Sequence, residues 1–276
     1  MKTFVISLKR SVERRQFMIE QMNRLGLDYE IFDAIDGQLL TENDISHYCD
    51  INAVRNPNGY YASNGMLGCT LSHYSVLKKI VEEGLESALI LEDDALLPLN
   101  IKDILSELER EIKKNEVITL FYTSHKIIKL SLVGGKAIKS GKLLFPINIK
   151  DVAAATAYVV HKEAAKGIIK VDTPIRTTSD SWHDFYNYGG ITSLRCLYPP
   201  PIQTANFKST LDYIAFNSLI GKCTAIIDEY KIPVLYHLLT YKRKLLMKGL
   251  SKYELVNEVS PIYKNLIAGE NTKNTL

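Results

Sequence analysis

Read as hydrophobic and polar positions, the chain opens on a short, nearly continuous apolar block, Thr3-Phe-Val-Ile-Ser-Leu8, the pattern of a buried strand. Ser11 then offers a helix cap, Met18, Met22 and Leu25 recur at helical spacing, and Gly26 stands where a left-handed residue ends a helix. Tyr29–Phe32 predicts a second strand, and this strand–helix–strand opening argues for a parallel α/β sheet. Residues 36–62 show no sustained period and read as a long surface segment, with Asp36-Gly37 and Asn56-Pro57-Asn58-Gly59 as turn signals. Leu67, Leu71, Tyr74, Leu77 and Val81 share one face of a helix that Gly84 closes, and a strand follows from Ser87 to Leu91. Asn100 caps another helix, striped by Ile101, Ile104, Leu105, Leu108 and Ile112.

Farther on, Val117–Tyr122 reads as a strand. Leu130–Val133 and Lys142–Phe145, around Gly134-Gly135 and Gly141, predict a hairpin at the sheet's periphery. Val152–Val160 is small and apolar enough for a central strand and leads into a helix through Ile169. Ile191–Leu197 is the expected last strand, ended by Pro199-Pro200-Pro201. From Lys231 to Lys252 the character changes. Lys231, Lys242, Arg243, Lys244, Lys248 and Lys252 interleave with leucines and with no acidic residue, the pattern of a basic amphipathic helix. Such a helix suits an anionic membrane surface, or packs with its basic face solvated.

With 276 residues, 46% hydrophobic and 24% charged, the chain has an ordinary globular composition. A net charge of +3 and the lack of any RNP, helix-turn-helix or zinc-finger pattern argue against nucleic acid. Cys49, Cys69, Cys196 and Cys223 have no paired metal-ligand spacing and read as reduced thiols. The apolar run Phe4–Leu8 is too short for a signal peptide and meets Lys9-Arg10 at once, and no stretch reaches spanning length. The expected location is the cytoplasm, with a peripheral position on the cytoplasmic face of the inner membrane as the alternative that the basic tail opens.

The candidate chemistry begins where Leu89-Ile-Leu91 runs into Glu92-Asp93-Asp94. Three adjacent carboxylates repel one another, and burying one without a partner is costly. At the carboxyl end of a strand in an open α/β sheet they face the crevice where such folds bind ligands, and a hard divalent cation would offset the repulsion. A solvated acidic turn is the alternative. Arg10, Arg14 and Arg15 follow the first strand at a helix start, where basic side chains and free amides favour phosphate. A second polar cluster, Asp180-Ser-Trp-His-Asp184, could supply a general base, or Asp180 could cap a helix and Trp182 fill the core.

Three stretches together resemble glycosyltransferase family 25, the bacterial lipooligosaccharide β-galactosyltransferases and their relatives. They are Phe4–Arg15; Gly68-Cys-Thr-Leu-Ser-His73 with Glu83-Gly84-Leu85 and Leu89–Ala95; and Ala155-Thr-Ala-Tyr158 followed by Asp180 and Tyr198-Pro-Pro-Pro-Ile-Gln203. The resemblance spans roughly residues 3 to 210. It implies a GT-A-like α/β domain over residues 1–210, with a Rossmann-like, mostly parallel sheet flanked by helices, and leaves 211–276 as the helical basic extension. It further implies an inverting transfer of a hexose, galactose first, from a UDP-sugar donor to a saccharide or glycolipid acceptor.

The resemblance also distributes roles. Asp94 is the first choice for Mn²⁺ or Mg²⁺, with Asp93 as a further ligand or its support. Glu92 faces the nucleotide sugar. Leu8, Arg10, Arg14 and Arg15 lie on the donor side with Asp93, as do Ser72 and His73. Gln203 and Lys208 match more loosely near the donor phosphates. Asp180 stands at the family's acidic position and is the expected base, with Asp184 as its competitor. Trp182 offers a sugar-stacking platform and His183 lies beside it on the acceptor side. The rival activities are a metal-dependent phosphoesterase or nucleotidyltransferase using the same carboxylates, and a non-catalytic glycan- or nucleotide-sugar-binding protein.

Overall fold

The computed structural model describes residues 1–55, 62–205, 207, 227, 232–239 and 252–273. The chain opens with β1 (Lys2–Ser7), α1 (Val12–Leu25) and β2 (Tyr29–Asp33). Gly26 closes α1 with φ 58°, the left-handed conformation expected of a glycine in that place. A 3₁₀ turn, α2 (Glu42–Tyr48) and α3 (Ile51–Val54) lead to the long α4 (Asn64–Glu82). Then come β3 (Ser87–Glu92), β4 (Ala95–Leu96), α5 (Ile101–Glu111), β5 (Glu116–Thr119), β6 (Ile128–Ile138) and β7 (Gly141–Pro146). They are followed by β8 (Ala157–His161), α6 (Lys162–Val171), α7 (Trp182–Asn187), β9 (Ser193–Tyr198), β10 (Gln203–Thr204), β11 (Tyr253–Val256) and α8 (Pro261–Lys273).

Among the described residues, nine strands form one mixed sheet in the order β11-β6-β7-β9-β5-β8-β3-β1-β2. The pairings make β7 and β8 antiparallel to their neighbours, and the other strands run in a common direction. The α/β, mostly parallel expectation therefore holds. Helices cover both faces. Phe4, Ile90, Tyr158 and Val160 pack with Val76 and Ile80 of α4, Ala164 of α6 and Trp182 and Phe185 of α7. Val5, Leu89, Leu91 and Val159 face the opposite way, onto Met18 and Met22 of α1 and Ile104 and Leu108 of α5. Alternate residues of the central strands thus feed two different cores, which is why these strands read as continuous apolar runs.

Three expectations change. Residues 36–62 are not a bare surface segment: α2 carries a Thr41–Asp44 capping box, and Ile45 and Val54 bury against Leu67 and Leu71 of α4. The approach is close enough that a Cβ on Gly68 would meet the backbone nitrogen of Gly37 at 2.6 Å. The strand expected over 152–160 starts only at Ala157 and runs antiparallel. The sheet also continues past the proline run and past residue 210: β11 pairs parallel with β6, and Ile262 of α8 is buried in the sheet's core. Tyr253–Val256 are thus part of the sheet, and the helix after them packs on it. Most of the basic stretch 231–252 lies outside the described residues. No helix among the described residues is long and apolar enough to cross a membrane.

Candidate active site

The topology gathers the polar residues at one edge of the sheet. β1 and β3 are parallel neighbours with Ile6 beside Glu92, so Ser7 and the Glu92–Asp94 turn leave the sheet on the same side. Because β8 runs the other way beside β3, its entry segment, residues 154–156, arrives at that same edge. The carboxyl ends of parallel strands are where open α/β sheets bind ligands.

Each of the three carboxylates is held differently. Glu92 Oε2 accepts from Thr156 Oγ1 at 3.1 Å, and Oε1 lies 3.3 Å from His73 Nε2 and 3.8 Å from Cys69 Sγ. Burial opposes its ionisation, but His73, the Thr156 hydroxyl and the Arg14 charge outweigh burial and hold its pKa below the ordinary value. Asp93 is buried, accepts from Ser7 Oγ at 2.7 Å and meets Arg14 Nη2 at 2.5 Å. Its pKa is nonetheless raised, because burial exceeds what Arg14 and Ser7 return. Asp94 Oδ2 lies 3.0 Å from the same Arg14 nitrogen, while its Oδ1 is buried with no hydrogen-bond partner among the described residues. Burial and the neighbouring Glu92 push its pKa up to about 6, against Arg14, with Asp93 adding to the rise.

That orphaned oxygen tests the fit of a divalent cation. An ionised carboxylate oxygen is an acceptor only, so a buried one without a donor is costly unless a cation meets it. Asp94 fits such a ligand role. Asp93, committed to Arg14 and Ser7, fits a supporting role.

Of the three arginines, Arg14 meets the acidic turn directly among the described residues. Its guanidinium bridges Asp93 and Asp94 and lies over the Phe207 ring, 5.6 Å from the centroid. Arg10 pairs with Asp36, which also accepts from Gln38 N, and Arg15 pairs with Asp33 and donates to Ser7 O. Leu8 is half-buried just past β1. Gln203 is exposed on β10, whose pairing with β4 brings Ala205 N onto Asp94 O at 2.8 Å. The segment after the prolines therefore reaches the acidic turn; Lys208 lies outside the described residues.

Two donor-side expectations are corrected by packing. Ser72 is fully buried; its hydroxyl donates to Gly68 O and accepts from Ile35 N, so it ties α4 to the chain after β2. His73 is 2% exposed, between Tyr158 OH at 3.0 Å on Nδ1 and Glu92 on Nε2, so it acts on the cleft through Glu92. Trp182 follows the core alternative to a sugar platform: it is 1% exposed, although it also borders the cavity at the second polar cluster. Its ring stacks edge-on against Tyr158 and Phe185, and Nε1 donates to Ala154 O.

The second polar cluster opens onto a cavity of about 430 Å³ lined by Lys150, Ala153, Asp180, His183 and Asp184, among others. Asp180 Oδ2 accepts from Ala154 N at 3.2 Å, and His183 Nδ1 lies 3.3 Å from Asp184 Oδ1. Ala154 holds φ +83°, a conformation that costs a residue with a Cβ, and both its amide and its carbonyl are tied to the 180–182 segment. The two acidic clusters are joined through Cys69. Its Sγ is 3.8 Å from Glu92 and 4.0 Å from Ser179 Oγ, and the Asp180 charge helps raise the thiol's pKa.

Ser7, Thr156, Ala154 and Cys69 are site residues that the sequence alone does not single out. Ser7 carried one signal, a hydroxyl ending an apolar strand. Cys69 and Thr156 stand in stretches that carry the resemblance, but their partners, like those of Ala154, are brought in by the fold.

Comparison with known proteins gives a family match. The model of glycosyltransferase family 25 (LPS biosynthesis protein) matches residues 1–183. Procollagen galactosyltransferase 2 of Mus musculus is 30% identical over 118 residues, covering 41% of this chain and 19% of that protein. Probable inactive glycosyltransferase 25 family member 3 of Bos taurus is 29% identical over 120 residues, covering 42% and 20%. A glycosyltransferase 25 family member of Aedes aegypti is 38% identical over 98 residues, covering 33% and 16%. The match thus spans a fifth or less of these longer relatives, and proteins named as galactosyltransferases and as inactive stand side by side among them. Among solved structures, a CMP:2-keto-3-deoxy-manno-octonic acid synthetase complexed with CTP aligns with TM-score 0.37 and 12% identity over 71% of this chain and 88% of that one.

Proposed function

The chain belongs to glycosyltransferase family 25, and from that premise we propose that it is an active, cation-dependent, inverting transferase. It moves a hexose, galactose first, from a UDP-sugar to a saccharide or glycolipid acceptor such as lipooligosaccharide. The observation that carries this reading is the buried, unpartnered Oδ1 of Asp94 beside an Arg14-bridged Asp93. A merely structural acidic turn has no use for an orphaned carboxylate oxygen.

Asp94 would hold Mn²⁺ or Mg²⁺, which supplies positive charge to a diphosphate leaving group. Arg14 keeps Asp93 and Asp94 compatible side by side and contributes a fixed positive charge at the same place. Glu92, oriented by His73 and Thr156, presents an ionised carboxylate to the donor sugar. Asp180, hydrogen-bonded through only one oxygen among the described residues, takes the proton from the acceptor hydroxyl. The acceptor oxygen then bonds to the anomeric carbon from the face opposite UDP, and UDP departs with the electrons of the broken bond. Asp184, paired with His183 at the rim of the same cavity, lines the acceptor side. We further place the protein at the cytoplasmic face of the inner membrane, on the strength of the basic stretch 231–252.

The test is a donor screen with UDP-galactose, UDP-glucose, UDP-N-acetylglucosamine and UDP-N-acetylgalactosamine, with and without Mn²⁺, followed by the anomeric configuration of the product. Transfer that needs Mn²⁺ and inverts the configuration is expected, with UDP-galactose the best donor. Release of free sugar or UMP with no acceptor product would instead favour a hydrolase.

A further inference from the structure

The residues that orient Glu92 have a second property, independent of sugar transfer. Cys69 and His73 stand four residues apart on α4 and so share one helix face, and that face meets the end of β3. One ligand atom from each of Cys69, His73 and Glu92 lies within 4.8 Å of the others. His73 Nε2 is 3.3 Å from Glu92 Oε1, and Cys69 Sγ is 3.8 Å from it. Zinc bonds of about 2.3 Å to sulfur and about 2.0–2.1 Å to nitrogen and oxygen put the edges of a tetrahedron at about 3.3–3.5 Å. The two separations to Glu92 match those edges to within a few tenths of an ångström, and the sulfur and nitrogen, within 4.8 Å of each other, would draw together onto the ion.

We propose that Cys69, His73 and Glu92 form a zinc site, distinct from the hard-cation position at Asp94. The donor set decides the metal class. A thiolate and an imidazole suit zinc and suit neither magnesium nor calcium, whose ligands are oxygens. Thiolate and carboxylate together carry two negative charges and balance Zn²⁺, with the imidazole neutral. The imidazole is also set up for the role. On binding the ion, Nε2 would exchange its hydrogen bond to Glu92 for the metal and Nδ1–H would donate to the Tyr158 hydroxyl 3.0 Å away, and a histidine ligand supported on its other nitrogen is the usual arrangement. Ring stacking of His73 with Tyr158, centroids 5.8 Å apart, holds that orientation. In the metal-free protein, burial and the Glu92 charge push the Cys69 thiol well up; a bound cation reverses that preference and deprotonates a coordinating thiol. The fourth ligand would be water or Ser179 Oγ, which lies 4.0 Å from Cys69 Sγ.

The test loads the metal-free full chain with Co²⁺, reads its absorption spectrum, and measures the zinc retained after dialysis. A thiolate-to-cobalt charge-transfer band, displaced by zinc, is expected in the parent chain and in Asp94→Asn, Cys49→Ser and Cys223→Ser. It should vanish in Cys69→Ser, with circular dichroism confirming the fold. Tyr158→Phe keeps all three ligands and loses only the support on Nδ1, so it should weaken zinc binding about 10–100-fold. A cobalt spectrum without the thiolate band, a band that survives in Cys69→Ser, or zinc retention equal in the two chains would overturn the site and leave a hydrogen-bond network. Glu92 is shared with the proposed donor side, but none of these readouts needs sugar transfer, so failure of the zinc site and failure of the transferase reading are distinguishable.

Discussion

Two groups of buried carboxylates sit on this sheet and are treated in opposite ways. Glu116, at the start of β5, is fully buried. It accepts from Ser193 Oγ at 2.6 Å, from Arg195 Nε and Nη2 at 2.7 Å each, and from Lys113 N at 2.8 Å. Asp94, just beyond β3, shares one arginine with Asp93, and one of its oxygens meets no donor among the described residues. A charge in the interior that is completely paired is structural and inert. One left incompletely paired costs stability in the free protein and is retained where a ligand completes it. The difference identifies a working edge and a load-carrying interior of one sheet.

Replacement of single carboxylates should separate the two groups. The largest expected effect falls on Asp180, whose second oxygen is available to an acceptor: Asp180→Asn should lower acceptor turnover about 10²–10⁴-fold with donor binding unchanged. A larger loss from Asp184→Asn would move the base to that residue. Glu116→Gln should do the reverse. Leaving Arg195 buried without its counter-charge should cost about 3–5 kcal/mol of unfolding free energy by denaturant titration, with turnover per folded molecule unaltered.

A smaller effect of the opposite sign is expected for Asp94→Asn. The folded Asp94 has a pKa of about 6, above its ordinary value of 3.8. Between those values the folded state keeps a proton that the unfolded state has lost, so metal-free stability falls as pH rises from about 4 to about 6 and stays low above that. Removing the charge should therefore stabilise the metal-free chain at pH 8 by about 1–3 kcal/mol. Part of the pH slope should remain, because burial also raises Asp172 to about 6. Equal or lower stability of Asp94→Asn in thermal melts at pH 8 would make Asp94 another satisfied carboxylate like Glu116.

Local signals in the sequence located most of what depends on local physics. The opening β1-α1-β2 unit, the Gly26 stop and the acidic end of β3 were legible from apolar period and from where it breaks. The direction of β8 was not, since an apolar run reads the same both ways. Nor was the return of β11 to the sheet beyond a stretch with no strand signal. The Thr41–Asp44 capping box that opens α2 went unread, because the segment 36–62 shows no sustained apolar period. In the site, residue types pointed to the right edge but not to the right partners. Ser7 meets Asp93 across 86 residues of chain, and Trp182 and Ser72 are drawn into the core by contacts that no spacing predicts.

The central claim is that Asp94 is kept incompletely paired for a cation that serves the donor. The most direct measurement is UDP-galactose binding and transfer, titrated with Mn²⁺, in the parent chain and in Asp94→Asn. The account predicts Mn²⁺-dependent binding and turnover in the parent. In Asp94→Asn the Mn²⁺ response disappears and turnover falls at least about 100-fold, the scale of losing a principal electrostatic contact, in a chain that melts no lower. Near-parental turnover with an intact Mn²⁺ response in Asp94→Asn would contradict it.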